Sequence, residues 1–160
     1  MKNITLGQGL DELQFGLSRE EVIKLLGEPT EKEHMDGDEE SGALEAWHYD
    51  EKHISLSFEA DCDWLLTSIT TASPDAVFEG IDLIGISQGE VMEQMEVFNL
   101  GEFDMQDISS EDLPNQTIAT NADFSINLFF DNDILTEIQW GPYWDDEEEK
   151  PIWPGEEDEN

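Results

Sequence analysis

Residues 53–71, HISLSFEADCDWLLTSITT, decide the fold of this chain. The first part alternates, with Ile54, Leu56 and Phe58 on one face and polar side chains on the other. This period of two is typical of a strand with one buried face. The acidic stretch 61–63 predicts a turn, after which the chain returns as a second strand. The sequence therefore predicts an antiparallel hairpin that buries one face.

The hairpin lies in one copy of an internal repeat. GLSREEVI at 16–23 aligns with GISQGEVM at 85–92, and LTSI at 66–69 aligns with LTEI at 135–138. Both matches have the same offset of 69 residues (85 − 16 and 135 − 66). Two separate matches at one offset indicate a duplicated unit.

Each copy opens with the pattern Ser-x-x-Glu, formed by Ser18 with Glu21 and by Ser87 with Glu90. In a capping box the serine accepts from the N–H of the third helical residue, and the glutamate returns to the cap N–H. The pattern predicts two helix starts, and Gly27 predicts the end of the first helix.

The second copy repeats the strand pattern after its helix. Phe124, Ile126, Leu128 and Phe130 alternate, a turn is predicted at 131–133, and the chain returns from there to Trp140. The acidic segments 34–42 and 105–116 are predicted to be loops.

These elements predict an α+β protein made of two tandem units, each a helical element packed on a sheet of three or four antiparallel strands. The first helix-plus-sheet repeat is assigned to residues 1–78 and the second to residues 79–142. Residues 143–160 form an acidic tail that contains tryptophan and proline.

The composition limits the classes of partner. Among 160 residues, 41 Asp and Glu oppose 6 Lys and Arg, which gives a formal net charge of −35. Eight Phe and five Trp are too many large rings for a disordered acidic chain. The charge disfavours nucleic acid and anionic membranes, both of which bind basic surfaces.

Cys62 is the single cysteine, so the chain forms no internal disulfide and no cysteine-based zinc site. The first residues lack the apolar run of a signal peptide, and no stretch approaches the roughly 20 apolar residues of a membrane span. We expect a cytoplasmic protein.

The motif series resembles the repeat of the β-lactamase-inhibitor-protein fold and of the outer-membrane assembly lipoproteins of the SmpA/OmlA type. The residues that carry this resemblance are Gly16, Ser18, Glu21, Val22, Leu26, Gly27, Pro29, Trp47, Tyr49, Leu66 and Ile69. In tandem form it implies a concave sheet that binds a protein partner. By analogy with small acidic bacterial proteins of this kind, it also suggests an immunity protein.

Nine residues are candidates for partner binding, because aromatic rings beside carboxylates are typical interface anchors. They are Trp47, Tyr49, His53, Glu59, Tyr143, Trp144, Asp145, Asp146 and Trp153. An alternative for the tryptophans near the end of the second unit is that they close its core.

The sequence predicts no catalytic residue, metal ligand or cofactor. Asp36, Asp38 and Glu40 suggest a calcium loop, but Ser41 stands at the sixth position and Trp47 at the twelfth, where Gly and Glu are required. No nucleophile elbow or phosphate-binding glycine loop is found. We therefore expect a non-enzymatic protein.

The main hypothesis is an acidic binding module that inhibits or neutralises a basic protein partner, with a toxin as one candidate. One alternative is a salt-adapted cytoplasmic domain with a housekeeping or scaffold role. Another is a hydrolase that uses carboxylates and a metal. The oligomeric state is left open.

Overall fold

The computed structural model describes residues 3–37, 42–100, 102–145, 147–148 and 150–153, and in these ranges the protein is mainly β. The elements are β1 (Asn3–Thr5), β2 (Gly9–Leu10), β3 (Leu13–Gln14), α1 (Arg19–Leu26), β4 (Glu31–Met35), β5 (Leu44–Tyr49), β6 (Ile54–Glu59), β7 (Leu65–Thr71), β8 (Val77–Phe78), β9 (Ile81–Asp82), α2 (Gln88–Val97), β10 (Asp104–Asp107), β11 (Gln116–Asn121), β12 (Ile126–Asp131), β13 (Ile134–Trp140), β14 (Tyr143–Asp145) and β15 (Lys150–Ile152).

The largest element is one antiparallel sheet of eight strands, in the order β10-β11-β12-β13-β7-β6-β5-β4. Its two halves meet where β13 pairs with β7, and we call this pairing the seam. The seam contains three residue pairs, namely Ile138 with Thr71, Gln139 with Thr70 and Trp140 with Ile69. Strands from both halves of the chain therefore form a single surface.

The predicted architecture of two helix-on-sheet units is wrong. The strands of both halves share one sheet, and their buried side chains form one hydrophobic cluster, so the fold is mainly a β-sandwich-like arrangement. The physical reason is that each half ends in a strand with an unpaired edge, and pairing β7 with β13 satisfies the backbone groups of both edges. The separate-unit prediction left these edges open.

A small sheet, in the order β3-β2-β1-β8-β9, forms the second layer. Phe15, which follows β3, meets Trp140 of the large sheet edge to face, with ring centroids 6.5 Å apart. Trp140 Nε1 also donates to the carbonyl of Gly9 at 3.2 Å. The predicted boundary between the first and second repeats, at residues 78 and 79, falls inside the β8–β9 hairpin. The division of the chain at this point stays a sequence-based prediction.

The helix starts are where the sequence predicts them. Ser18 accepts from Glu21 N, and the Glu21 carboxylate accepts from Ser18 N, so the first capping box is confirmed. This bonding lowers the pKa of Glu21. Ser87 accepts from the backbone N–H of Glu90 at 3.4 Å and caps α2. Both helices bury a valine against the core.

Two strands lie in segments predicted to be loops. β4 reaches into 34–42, and β10 reaches into 105–116. Both are outer strands of the large sheet, and every side chain in them is exposed. Outer strands without a buried face lack the alternation on which the sequence prediction depends. These two loop predictions are therefore wrong in part.

Candidate protein-binding face

The large sheet buries alternate side chains in the core, and the side chains between them are half-buried or exposed on the other face, which we call the open face. One residue from each strand forms a continuous row across it, defined by the pairing register. We call this the polar row; its members are Asp104, Thr120, Asn127, Gln139, Thr70, Ser55, His48 and Glu31. The six inner members carry hydroxyl, amide or imidazole groups, and only the two edge members are acidic.

Hydrogen bonds between side chains hold the polar row in place. Asn127 Nδ2 donates to Gln139 Oε1 at 3.1 Å, and Gln139 Nε2 donates to Ser68 Oγ at 3.3 Å, across the seam. In the first half, His48 Nδ1 and Ser55 Oγ lie 2.8 Å apart. These hydrogen bonds hold half-buried polar side chains in fixed positions. The row is therefore preorganised for binding.

Carboxylates surround this neutral centre. Glu31 and Glu33 belong to the outer strand β4, and Asp104 belongs to the outer strand β10. Along the strands, Glu59 lies at the last residue of β6, and Glu137 lies on β13 beyond the seam pairs at the opposite end. The open face therefore has uncharged polar groups inside and negative charge at its margin.

The nine predicted binding residues do not lie together on one surface. Trp47 and Tyr49 are only 2% and 4% exposed and belong to the core, so neither side chain is available to a partner. Both residues were candidates for partner binding, but their side chains point inward because they share the period of the buried face. Tyr49 Oη donates to the carbonyl of Gly27. Burial, with the Glu28 charge, raises the pKa of Tyr49 to about 12.

His53 and Glu59 are exposed and lie at opposite ends of β6. His53 precedes the strand in a left-handed conformation. Glu59 instead lies near the groove described next, which also includes Trp144. The structure brings these last two predicted residues together.

The hairpin of β14 and β15 carries the rest of the predicted set. Tyr143 is half-buried against Phe124, with ring centroids 6.1 Å apart, and Trp153 is half-buried beside Gly16. Trp144 is 52% exposed, and Asp145 is half-buried. Asp146 lies outside the described residues. Of the aromatic candidates, Trp144 is the one presented to solvent.

A groove of about 560 Å³ is lined by residues of β7 and β13 next to the seam and by Trp144 and Pro151 of the hairpin. We call it the end groove. Its lining includes Ser57, Ser68, Gln139, Glu59 and Trp144. The serines and the glutamine were not predicted as site residues, because polar residues are common on the exposed side of a strand. Their positions between the apolar residues do indicate that they lie on the open face.

Cys62 is the single thiol of the chain. Burial raises the pKa of the Cys62 thiol, and the neighbouring carboxylates of Glu59, Asp61 and Asp63 raise it further, so the reactive thiolate is disfavoured. Among the described residues, no group of three His, Cys, Asp or Glu side chains is placed to hold a metal ion. The rejected calcium loop lies partly outside them. None of the described helices is long and apolar enough to cross a membrane.

Comparison with known proteins gives no family. No protein-family model and no curated protein matches the chain. A similar solved structure is an extracellular protein containing a SCP domain from Bacillus anthracis str. Ames, with 13% identity and a TM-score of 0.49. The match covers 79% of this chain and 43% of that one. Similarity at this level supports no conclusion about function.

Proposed function

We propose that this protein is a non-enzymatic binding module that neutralises a basic protein partner, in the manner of an immunity protein, through the open face of its large sheet. The observation that carries the proposal is the distribution of groups on that face. Interfaces between proteins are depleted of charge at their centre and polar at their rim. The neutral polar row surrounded by Glu31, Glu33, Glu59, Glu137 and Asp104 follows this pattern.

Electrostatics supports a basic partner. Some of the few cations of this chain already have acidic neighbours: Arg19 lies 3.3 Å from Glu45, and Lys32 lies 3.6 Å from Glu28. With a net charge of −35, the field around the molecule attracts cationic proteins and accelerates their approach. A toxin that acts on nucleic acid has a basic cleft, so it is a candidate partner. Nucleic acid and membrane surfaces do not fit this field.

The test begins with the full chain immobilised and exposed to a lysate of the native host, followed by purification of the retained protein. We expect a basic partner whose association rate falls at least about tenfold between 50 and 500 mM NaCl, while its dissociation rate changes much less. Binding that is indifferent to salt, or the absence of any basic partner, contradicts the proposal.

A matched pair of variants locates the surface. Gln139→Arg introduces a cation at the centre of the open face, whereas Gln8→Arg makes the same change at an exposed position in the other layer. We expect Gln139→Arg to weaken the partner's affinity at least about tenfold and Gln8→Arg to leave it unchanged, provided both variants retain the parent melting temperature. Equal effects of the two variants would show that the open face is not the binding surface.

A second candidate function rests on the excess of 35 acidic over basic residues (41 − 6), which also suits a cytoplasmic scaffold adapted to high salt. Screening would relieve the self-repulsion of such a chain. This candidate predicts unfolding at low ionic strength and recovery in molar KCl, together with no partner that competes for the open face. Stable folding at low salt counts against it.

A further inference from the structure

The end groove combines an exposed aromatic ring with a carboxylate. Trp144 is a large aromatic ring exposed to solvent over half its area. Glu59 is the one charged residue among the described residues that line the groove. Its carboxylate accepts a long contact from Cys62 Sγ at 3.9 Å, and no cation pairs with it among the residues that the structure describes. A cationic ligand would find an aromatic face and a carboxylate in the same cavity.

The groove lining places neutral polar side chains beside Glu59 and Trp144. Asn127 Nδ2 donates to Gln139 Oε1, and Gln139 Nε2 donates to Ser68 Oγ. Amide groups and serine hydroxyls both donate and accept hydrogen bonds, so hydrogen bonding alone does not select a ligand. Charge does, because an anion would meet Glu59 and the overall negative field, whereas a cation is attracted by both.

We propose that the end groove receives an arginine side chain of the partner, with the guanidinium stacked on Trp144 and paired with Glu59. This inference rests on the proposed function and names the group that the open face recognises. Arginine fits better than lysine because its planar guanidinium both stacks on aromatic rings and presents five N–H donors in a fixed arrangement. The groove volume of about 560 Å³ lies within the usual range of roughly 300–1,000 Å³ for ligand sites.

The probe is a set of three short peptides with capped termini, Gly-Xaa-Gly, in which Xaa is arginine, lysine or citrulline. Citrulline keeps the shape of arginine but has no charge. Binding is followed by nuclear magnetic resonance on the full chain, using the indole N–H signal of Trp144, which is assigned by its disappearance in Trp144→Phe. We expect shifts of this signal in the order arginine, lysine, citrulline.

Substitutions then test the two contacts. Affinities of the variants are measured by isothermal titration calorimetry, because the Trp144 variants lack the indole signal. Glu59→Gln and Trp144→Leu should each weaken the arginine peptide about fivefold, and Trp144→Phe should bind it nearly as well as the parent. Glu12→Gln is the matched control, because it removes the same charge from an exposed position in the small-sheet layer, away from the open face. Equal weakening by Glu59→Gln and Glu12→Gln would show that the peptide responds to the overall charge and not to a site. Equal binding of the arginine and citrulline peptides would also overturn the inference.

The purified basic partner separates this inference from the proposed function. If the partner binds the open face but Glu59→Gln and Trp144→Leu leave its affinity unchanged, the arginine site is wrong and the binding function stands. If the arginine peptide binds as expected but no basic protein is retained from the host, the site stands and the proposed function fails.

Discussion

Replacing Trp140 by alanine should destabilise both halves of the chain together. Trp140 is 1% exposed and lies in the seam, where it pairs with Ile69. Its ring meets Phe15, and its indole N–H bonds to Gly9 in the small sheet. Trp140 therefore connects β13 to β7 through its backbone and to the opposing layer through its side chain.

The expected loss follows from its burial. A buried tryptophan removes up to about 250 Å² from water, which at about 25 cal/mol per Å² corresponds to roughly 6 kcal/mol. Residual burial in the unfolded chain reduces this by about 10–40%, to about 4–5 kcal/mol. The unpaired Gly9 carbonyl adds about 1 kcal/mol. Against a typical total of about 5–15 kcal/mol, a loss of about 5–6 kcal/mol leaves a marginally stable protein.

The assay combines urea unfolding followed by circular dichroism with hydrogen exchange resolved to individual peptides. Because a domain of this size loses about 2–3 kcal/mol per molar urea, we expect the unfolding midpoint to fall by about 2 M. Protection of β6, in the first half, should fall together with protection of β12, in the second half. Trp144→Ala is the matched control; its ring is 52% exposed, and the midpoint should move by less than about 0.5 M.

One outcome would refute this reasoning about a shared core. If Trp140→Ala weakens protection of β12 while β6 stays as protected as in the parent, the halves fold independently. Trp140→Phe offers a milder version, which mainly removes the bond to Gly9, in case the alanine variant does not fold.

Three further predictions concern individual groups. Iodoacetamide should alkylate Cys62 several-fold more slowly in the folded protein than in urea at about pH 8.5, the ordinary thiol pKa, and equal rates would contradict the raised pKa. Because the folded-state pKa is raised, the neutral thiol stabilises the fold at low pH. This stabilisation is lost as the pH rises above the unfolded pKa of about 8.5. Absorbance at 295 nm should show a tyrosine titration with a pKa of about 12, and this titration should be absent in Tyr49→Phe. The neutral Tyr49 phenol should stabilise the fold below pH 10, and this stabilisation should disappear from about pH 10 to 12. Ser18→Ala should lower the free energy of unfolding by about 1 kcal/mol, and by more than Ser87→Ala does. The Ser18 cap bond to Glu21 N is 3.2 Å long, against 3.4 Å for Ser87 to Glu90 N, and the Glu21 carboxylate also accepts from Ser18 N. A larger effect of Ser87→Ala in thermal melts would contradict this ranking.

The local elements were predictable because their signals are local. The alternation of Ile54, Leu56 and Phe58 predicted β6 within one residue, and the serine caps gave the starts of both helices. These patterns depend on neighbours a few positions apart. They are visible without knowledge of the rest of the chain.

The assembly and the binding face were not predictable in the same way. The seam pairs residues such as Gln139 and Thr70, which are 69 positions apart (139 − 70), and its three pairs have no sequence pattern of their own. The end groove is lined by residues from both halves of the chain, which the fold brings together. Its serines and amides are therefore not marked in the sequence, and the burial of Trp47 is likewise visible only in the assembled sheet.

The seam also has a consequence for synthesis on the ribosome. β7 is a central strand of the finished sheet, but its second neighbour, β13, is complete only when Trp140 has been synthesised. Until then the nascent chain carries an open strand edge, flanked by the apolar residues of the first half, that could pair with other chains. We expect fragments that stop before residue 134 to aggregate, and chaperones that cover strand edges to raise the yield of soluble full-length protein.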